Sequence, residues 1–134
     1  MQSQKMAPDL IMSAEFTKKI NYLNNIKKHN ICIATTGLHN SIGGKFAEYV
    51  AASRSIITEP LHYQPAGDFE ENKNYLTFST IDSLIEKIHL LLQNTELMKE
   101  IMTSNYQYYT QYLSPDKLVL NTLLTVIEAT EYKV

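Results

Sequence analysis

The sequence predicts an α/β fold, a partial Rossmann-like three-layer arrangement with a short parallel sheet and a helical C-terminus. Three observations carry this. Two β-branched apolar runs, "ICIATT" at 31–36 and "SIIT" at 55–58, flank a helix-length segment, "GKFAEYVAA" at 44–52, the order of a right-handed parallel crossover. A third run, "YLTF" at 75–78, is followed by apolar residues at helical spacing. From residue 80 onward the chain carries helical patterns only.

Each element has its own local reason. Residues 1–13 read as a tail and residues 14–134 as one domain, since 134 residues match a single core. Ser13 is placed to cap a helix over about 14–29, whose apolar positions Phe16, Ile20, Leu23 and Ile26 recur every three or four residues and whose end carries Lys27 and Lys28. "ICIATT" is continuous rather than alternating and reads as a strand buried on both faces. Residues 59–74 hold Pro60, Pro65, Gly67, Asn72 and Asn74 and read as a long loop, a flap over the sheet. Ser79 with Asp82 resembles a capping box before a helix over about 80–93, built on Leu84, Ile85, Ile88, Leu91 and Leu92. A helix over 95–112 and, after Ser114-Pro115, a last one bearing Leu118, Leu123, Val126 and Ile127 complete the chain. On the 95–112 helix, Tyr106, Tyr109 and Tyr112 share a face and read as core or interface packing.

Composition excludes several function classes. A hydrophobic content of 44% with 19% charged residues is that of a folding chain rather than a disordered one. The net charge is -2 and Arg54 is the sole arginine, so there is neither a phosphate-tracking basic face nor bidentate guanine readout, and nucleic acid is not an expected partner. No apolar run approaches the roughly 20 residues of a membrane span. The single cysteine, Cys32, lies in an apolar run and reads as a small buried hydrophobe, which fits a reducing, cytoplasmic setting. No His, Cys, Asp or Glu cluster has metal-ligand spacing, and neither metal nor cofactor is expected.

The stretch with chemistry in it is "TTGLHNSIGGKFAEYVAAS", 35–53. Ligands of open parallel sheets bind beyond the carboxyl ends of the strands, and this loop leaves such an end. Gly43 and Gly44 bring bare backbone to a helix start, where free N–H groups and the helix dipole favour an anion such as a diphosphate. It is not a P-loop of the ATPase kind, which needs Gly at 39 and Ser or Thr at 46, where this chain has His39 and Phe46.

"NSIGGKFAEYVAASRSIITEP" resembles a segment of retaining glycosyltransferases with two Rossmann domains. That segment reads Glu-Gly-Phe-Gly, four residues, Glu-Ala, a small-residue turn and an apolar strand. Asn40, Ser41, Ile42 and Gly43 occupy the four loop positions, and Glu48 falls at the second glutamate. The resemblance extends over about residues 14–128 and implies a nucleotide-sugar donor, a UDP- or GDP-sugar. It implies that Glu48 binds the ribose hydroxyls, that the Ile42, Gly43 and Gly44 backbone holds the diphosphate, and that Asn40 lies near the sugar. Asn40 departs from the family's carboxylate. A carboxylate can accept both hydroxyls of a cis-diol, which supports the Glu48 role on chemical grounds; the alternative is a solvated helix charge. Lys45 can assist phosphates or be a surface lysine; His39 can serve near the sugar or only brace the loop; Glu59 and His62 open the second rim loop, as donor contacts or ordinary loop residues.

The sheet of three short strands is small for a doubly wound domain, and the acceptor domain of the resembling enzymes has no counterpart here. No residue is therefore assigned as catalytic, and no transfer by this chain alone is expected. A non-catalytic interaction module on the same scaffold is the competing reading. The uncovered helix faces and strand edge predict a homodimer.

Overall fold

The computed structural model describes residues 13–131; the predicted tail lies almost wholly outside them. In chain order the elements are α1 (Lys19–Lys28), β1 (Ile31–Ala34), a 3₁₀ turn (Leu38–Asn40), α2 (Gly44–Ala51), β2 (Ser55–Thr58), β3 (Tyr75–Thr77), α3 (Ile81–Gln93), α4 (Thr95–Tyr108), a π-helical segment (Tyr109–Leu113) and α5 (Pro115–Glu131). The three strands form one parallel sheet in the order β1-β2-β3, with Cys32 opposite Ile56 and Ile56 opposite Tyr75. This is the predicted α/β architecture: a short parallel sheet with a helical C-terminus.

Register assigns each strand residue to a face, because side chains alternate. Cys32, Ala34, Ile56 and Tyr75 pack with Ile26 of α1, with Phe46, Tyr49 and Val50 of α2, and with Phe69 and Tyr108. On the other face Ile57 and Leu76 pack with Leu91 of α3 and Ile101 of α4. α4 serves both faces, giving Ile101 to one and Tyr108 to the other, and it passes the N-terminal end of the strands on the way. There Ser55 Oγ donates to the Met98 carbonyl at 2.8 Å, and Asn105 Nδ2 donates to the carbonyls of Arg54 at 2.8 Å and Asn74 at 2.9 Å. Asn74 Nδ2 returns a bond to Asn105 Oδ1 at 3.1 Å. Buried amides need such partners, and this pair has them.

Several expectations are corrected. Helix α1 starts at Lys19, not near residue 14: Ser13 Oγ accepts from the Phe16 N–H at 3.4 Å and Thr17 Oγ1 donates to the Ala14 carbonyl at 3.0 Å, closing a separate turn that Lys18 leaves in an extended conformation. β1 is not buried on both faces. It is an edge strand, α3 and α4 lie over β2 and β3, and Ile33 stays 43% exposed. The capping box of α3 is Thr80 with Ser83, one residue beyond the predicted pair.

The tyrosine face holds for Tyr109 and Tyr112, which pack against the core, and not for Tyr106. Tyr108 and Tyr112 turn inward, their rings stacked at 5.3 Å, while Tyr106 is exposed. Consequently residues 59–74 are a packed loop and not a flap. Phe69 is buried among Phe46, Tyr75 and Tyr108, with ring centroids 4.7–5.4 Å away for Phe46, Tyr108 and 5.3 Å for Tyr75, and the Tyr108 hydroxyl donates to the Ala66 carbonyl at 2.7 Å. Gly67 sits at φ +76° with its Cα against the Tyr112 ring, a place where a Cβ would lie 2.4 Å from Cε1.

Candidate functional site at the C-terminal end of the sheet

The chain leaves β1 through Thr35 and Thr36 and closes a tight ring: the Gly37 N–H donates to the Ser41 carbonyl at 2.7 Å, and the Ser41 N–H to the Leu38 carbonyl at 3.2 Å. His39 and Asn40 reach this geometry in the left-handed region, at φ 57° and 59°. Asparagine and histidine tolerate it better than most residues, since short polar side chains offset the Cβ clash. Both side chains are exposed, as are Leu38 and Ser41, so the ring presents them outward.

α2 begins immediately after. Gly43 is its N-cap, in extended backbone, and supplies no side-chain cap; the Phe46 N–H bonds to the Gly43 carbonyl at 3.0 Å. By contrast α3 and α4 are capped by the side chains of Thr80 and Asn94. A Cβ added at Gly43 or Gly44 would meet nothing within 4 Å. Neither glycine is required by backbone conformation or by protein packing, and the helix start, where the first N–H groups lack intrahelical partners, carries no side-chain cap. Lys45 is exposed in the first turn, and Ile42 is half-buried against the core.

Glu48, one turn further, is on the flank of α2 that faces α1. Its Oε1 accepts from Lys19 Nζ, and its side chain is 25% exposed. The Tyr22 ring lies beneath Lys19, with the ammonium 5.4 Å from its centroid. The Tyr22 hydroxyl is buried near Tyr49 and Glu48 without reaching hydrogen-bond geometry with either, and burial first, then these neighbours, push the phenol well above its ordinary range. The structure therefore joins Glu48 to α1 and not to Asn40 or His39, to which no hydrogen bond runs among the described residues.

Glu59 has a bracing role. Its Oε2 accepts from the Thr36 N–H at 2.7 Å and the Thr36 hydroxyl at 2.8 Å, tying the loop after β2 to the loop after β1. The backbone bond first, then the hydroxyl bond, hold its carboxyl below the usual glutamate value. His62 is exposed and stands apart from this pair. Thr58, at the end of the central strand, is 1% exposed, and its Oγ1 has no partner among the described residues. By register it lies in the row with Ala34 and Thr77, on the sheet face that α2 covers.

The chain has no match among protein-family models, curated proteins or solved structures. Among the described residues, no group of three or more His, Cys, Asp or Glu side chains is arranged to hold a metal, and no helix is long and apolar enough to cross a membrane. Cys32 is buried, and burial raises its thiol pKa while Arg54 opposes the shift, so the thiol is held protonated and unreactive.

Lys19, Tyr22, Thr36 and Thr58 are the site's unforeseen members. Lys19 and Tyr22, three residues apart, share a helix face in the sequence, but nothing local points that face at Glu48, 29 residues from Lys19. Thr36 and Glu59 are 23 residues apart and carry no local signal of pairing.

Proposed function

We propose that this chain is the nucleotide-sugar-binding portion of a glycosyltransferase, taking a UDP- or GDP-sugar and inactive in transfer without an acceptor domain. The observation that supports it is the open start of α2 at the C-terminal end of a parallel sheet, with a half-buried carboxylate one turn along. The N–H groups that follow Gly43 would hold the diphosphate, where their dipoles favour negative charge without a full cation. Glu48 would keep Oε2 for a ribose hydroxyl while Lys19 holds Oε1, so the ion pair orients the carboxylate. Asn40, Ser41 and His39 would line the sugar side, and Lys45 would screen the phosphates. Buried Cys32 supports a reducing compartment such as the cytoplasm.

The test is titration of the labelled chain with UDP and GDP. Amide signals of residues 37–48 shift, and Glu48→Ala weakens binding by about 1.5–3 kcal/mol, the range of a hydrogen bond to a charged group. Unchanged spectra at millimolar nucleotide would remove this reading. They would favour the second one, a nucleotide-free interaction module, for which the engagement of Glu48 by Lys19 speaks.

A further inference from the structure

Helix α1 sits lightly on the body of the fold. Of its ten residues only Ile26 is buried, with Asn21, Tyr22 and Leu23 half-buried, and it starts on Lys18 without a side-chain cap. Its apolar residues do not close against α2: Ile20, Leu23 and Ile26 face Ala51 and Ala52 over a cleft of about 240 Å³, so dispersion contacts are forfeited along the seam. What bridges the seam is polar. Among the described residues, the side-chain hydrogen bond that leaves α1 for another element is the one from Lys19 Nζ to Glu48 Oε1. Beneath it the Tyr22 hydroxyl is buried with no partner, a cost that the docked helix carries and that water would relieve on opening.

We infer that α1 is a strap that opens as a unit about His29, with the Lys19–Glu48 pair as its clasp. Closed, it covers the Glu48 flank of α2 and, through Ile26, the buried cluster that includes Cys32; open, it frees the Glu48 carboxylate and uncovers that cluster. The sheet does not have to break for this, because β1 is held by its pairing with β2 and α1 joins it only through His29 and Asn30. Two opposed terms set the balance. The clasp lies near the surface, its side chains being 65% and 25% exposed, and such ion pairs are worth little and weaken with salt. The orphan hydroxyl acts against it. Local openings are drawn from elements with few buried contacts, and α1 is such an element. The inference stands apart from the nucleotide reading, since it is a property of the chain without ligand.

Cys32 is the chain's single cysteine and is buried, so the rate at which it takes a thiol reagent in the native chain reads the opening. That rate should hardly change between zero and about 1 M urea, since opening one helix exposes little surface, whereas labelling through global unfolding would rise steeply. Lys19→Met, or about 0.5 M salt on the unsubstituted chain, should speed labelling about two- to five-fold, and salt should add nothing to Lys19→Met. Tyr22→Phe should slow it about five-fold, because the docked helix then buries no orphan hydroxyl. Amide exchange of residues 22–28 should follow the same order while Ile101 and Tyr108 of α4 stay protected. Labelling that tracks global unfolding from zero urea, a rate unmoved by Lys19→Met, or labelling of Tyr22→Phe no slower than that of the unsubstituted chain would each overturn the inference.

Discussion

At the N-terminal end of the sheet, Ser55, Asn74 and Asn105 are buried and hydrogen-bonded; at the C-terminal end, Thr58 is as deeply buried, yet its hydroxyl has no partner among the described residues. The first end is closed by α4, whose Asn105 ties together the backbones that precede β2 and β3. The second is held differently: its loops are joined by the Thr36–Glu59 bonds, and α2 starts without a side-chain cap. Buried polar groups are thus paired at the first end, whereas at the second the buried Thr58 hydroxyl is left without a partner among the described residues.

The strongest way to break the contrast is at the closed end. Asn105→Ala leaves the Arg54 and Asn74 carbonyls and Asn74 Nδ2 buried without partners, at about 1–3 kcal/mol each, and urea unfolding should show a loss of about 3–5 kcal/mol. A loss below about 1 kcal/mol would show that water replaces the amide and that the closed end is not closed. Next comes Gly67→Ala, which forces a Cβ into the Tyr112 ring at positive φ and should lower stability by about 1–3 kcal/mol on the same measurement.

Effects at the open end are smaller and differ in sign. Thr58→Val removes a buried hydroxyl that has no partner and should raise stability by about 1 kcal/mol; a decrease would mean that the hydroxyl is held. For Glu59 the sign follows from its lowered pKa. A depressed carboxylate contributes stability that is present above its unfolded value and lost as pH falls through the folded one. Lowering pH from 4.5 downward should therefore release the rim, seen as faster amide exchange and a moving Thr36 N–H signal. Glu59→Gln should abolish that pH dependence while leaving global unfolding nearly unchanged.

What the sequence determined by itself is the set of elements whose signal is local. Strand β2 and helices α2 and α3 stand within a residue or so of where β-branched runs, helical periodicity and capping residues place them, because a few neighbouring residues carry the whole pattern. The open glycine-bearing turn at 43–44 was legible for the same reason. Tertiary structure alone decided which faces those elements present and which side chains meet. The exposure of Ile33 depends on where α3 and α4 cross the sheet, and the inward turn of Tyr108 and Tyr112 on the path of the 59–74 loop. Lys19 with Glu48, Thr36 with Glu59, and Asn74 with Asn105 are 29, 23 and 31 residues apart. Such pairs form only after the chain has collapsed, when burial leaves each polar group the choice of a distant partner or none, and local periodicity cannot register that choice.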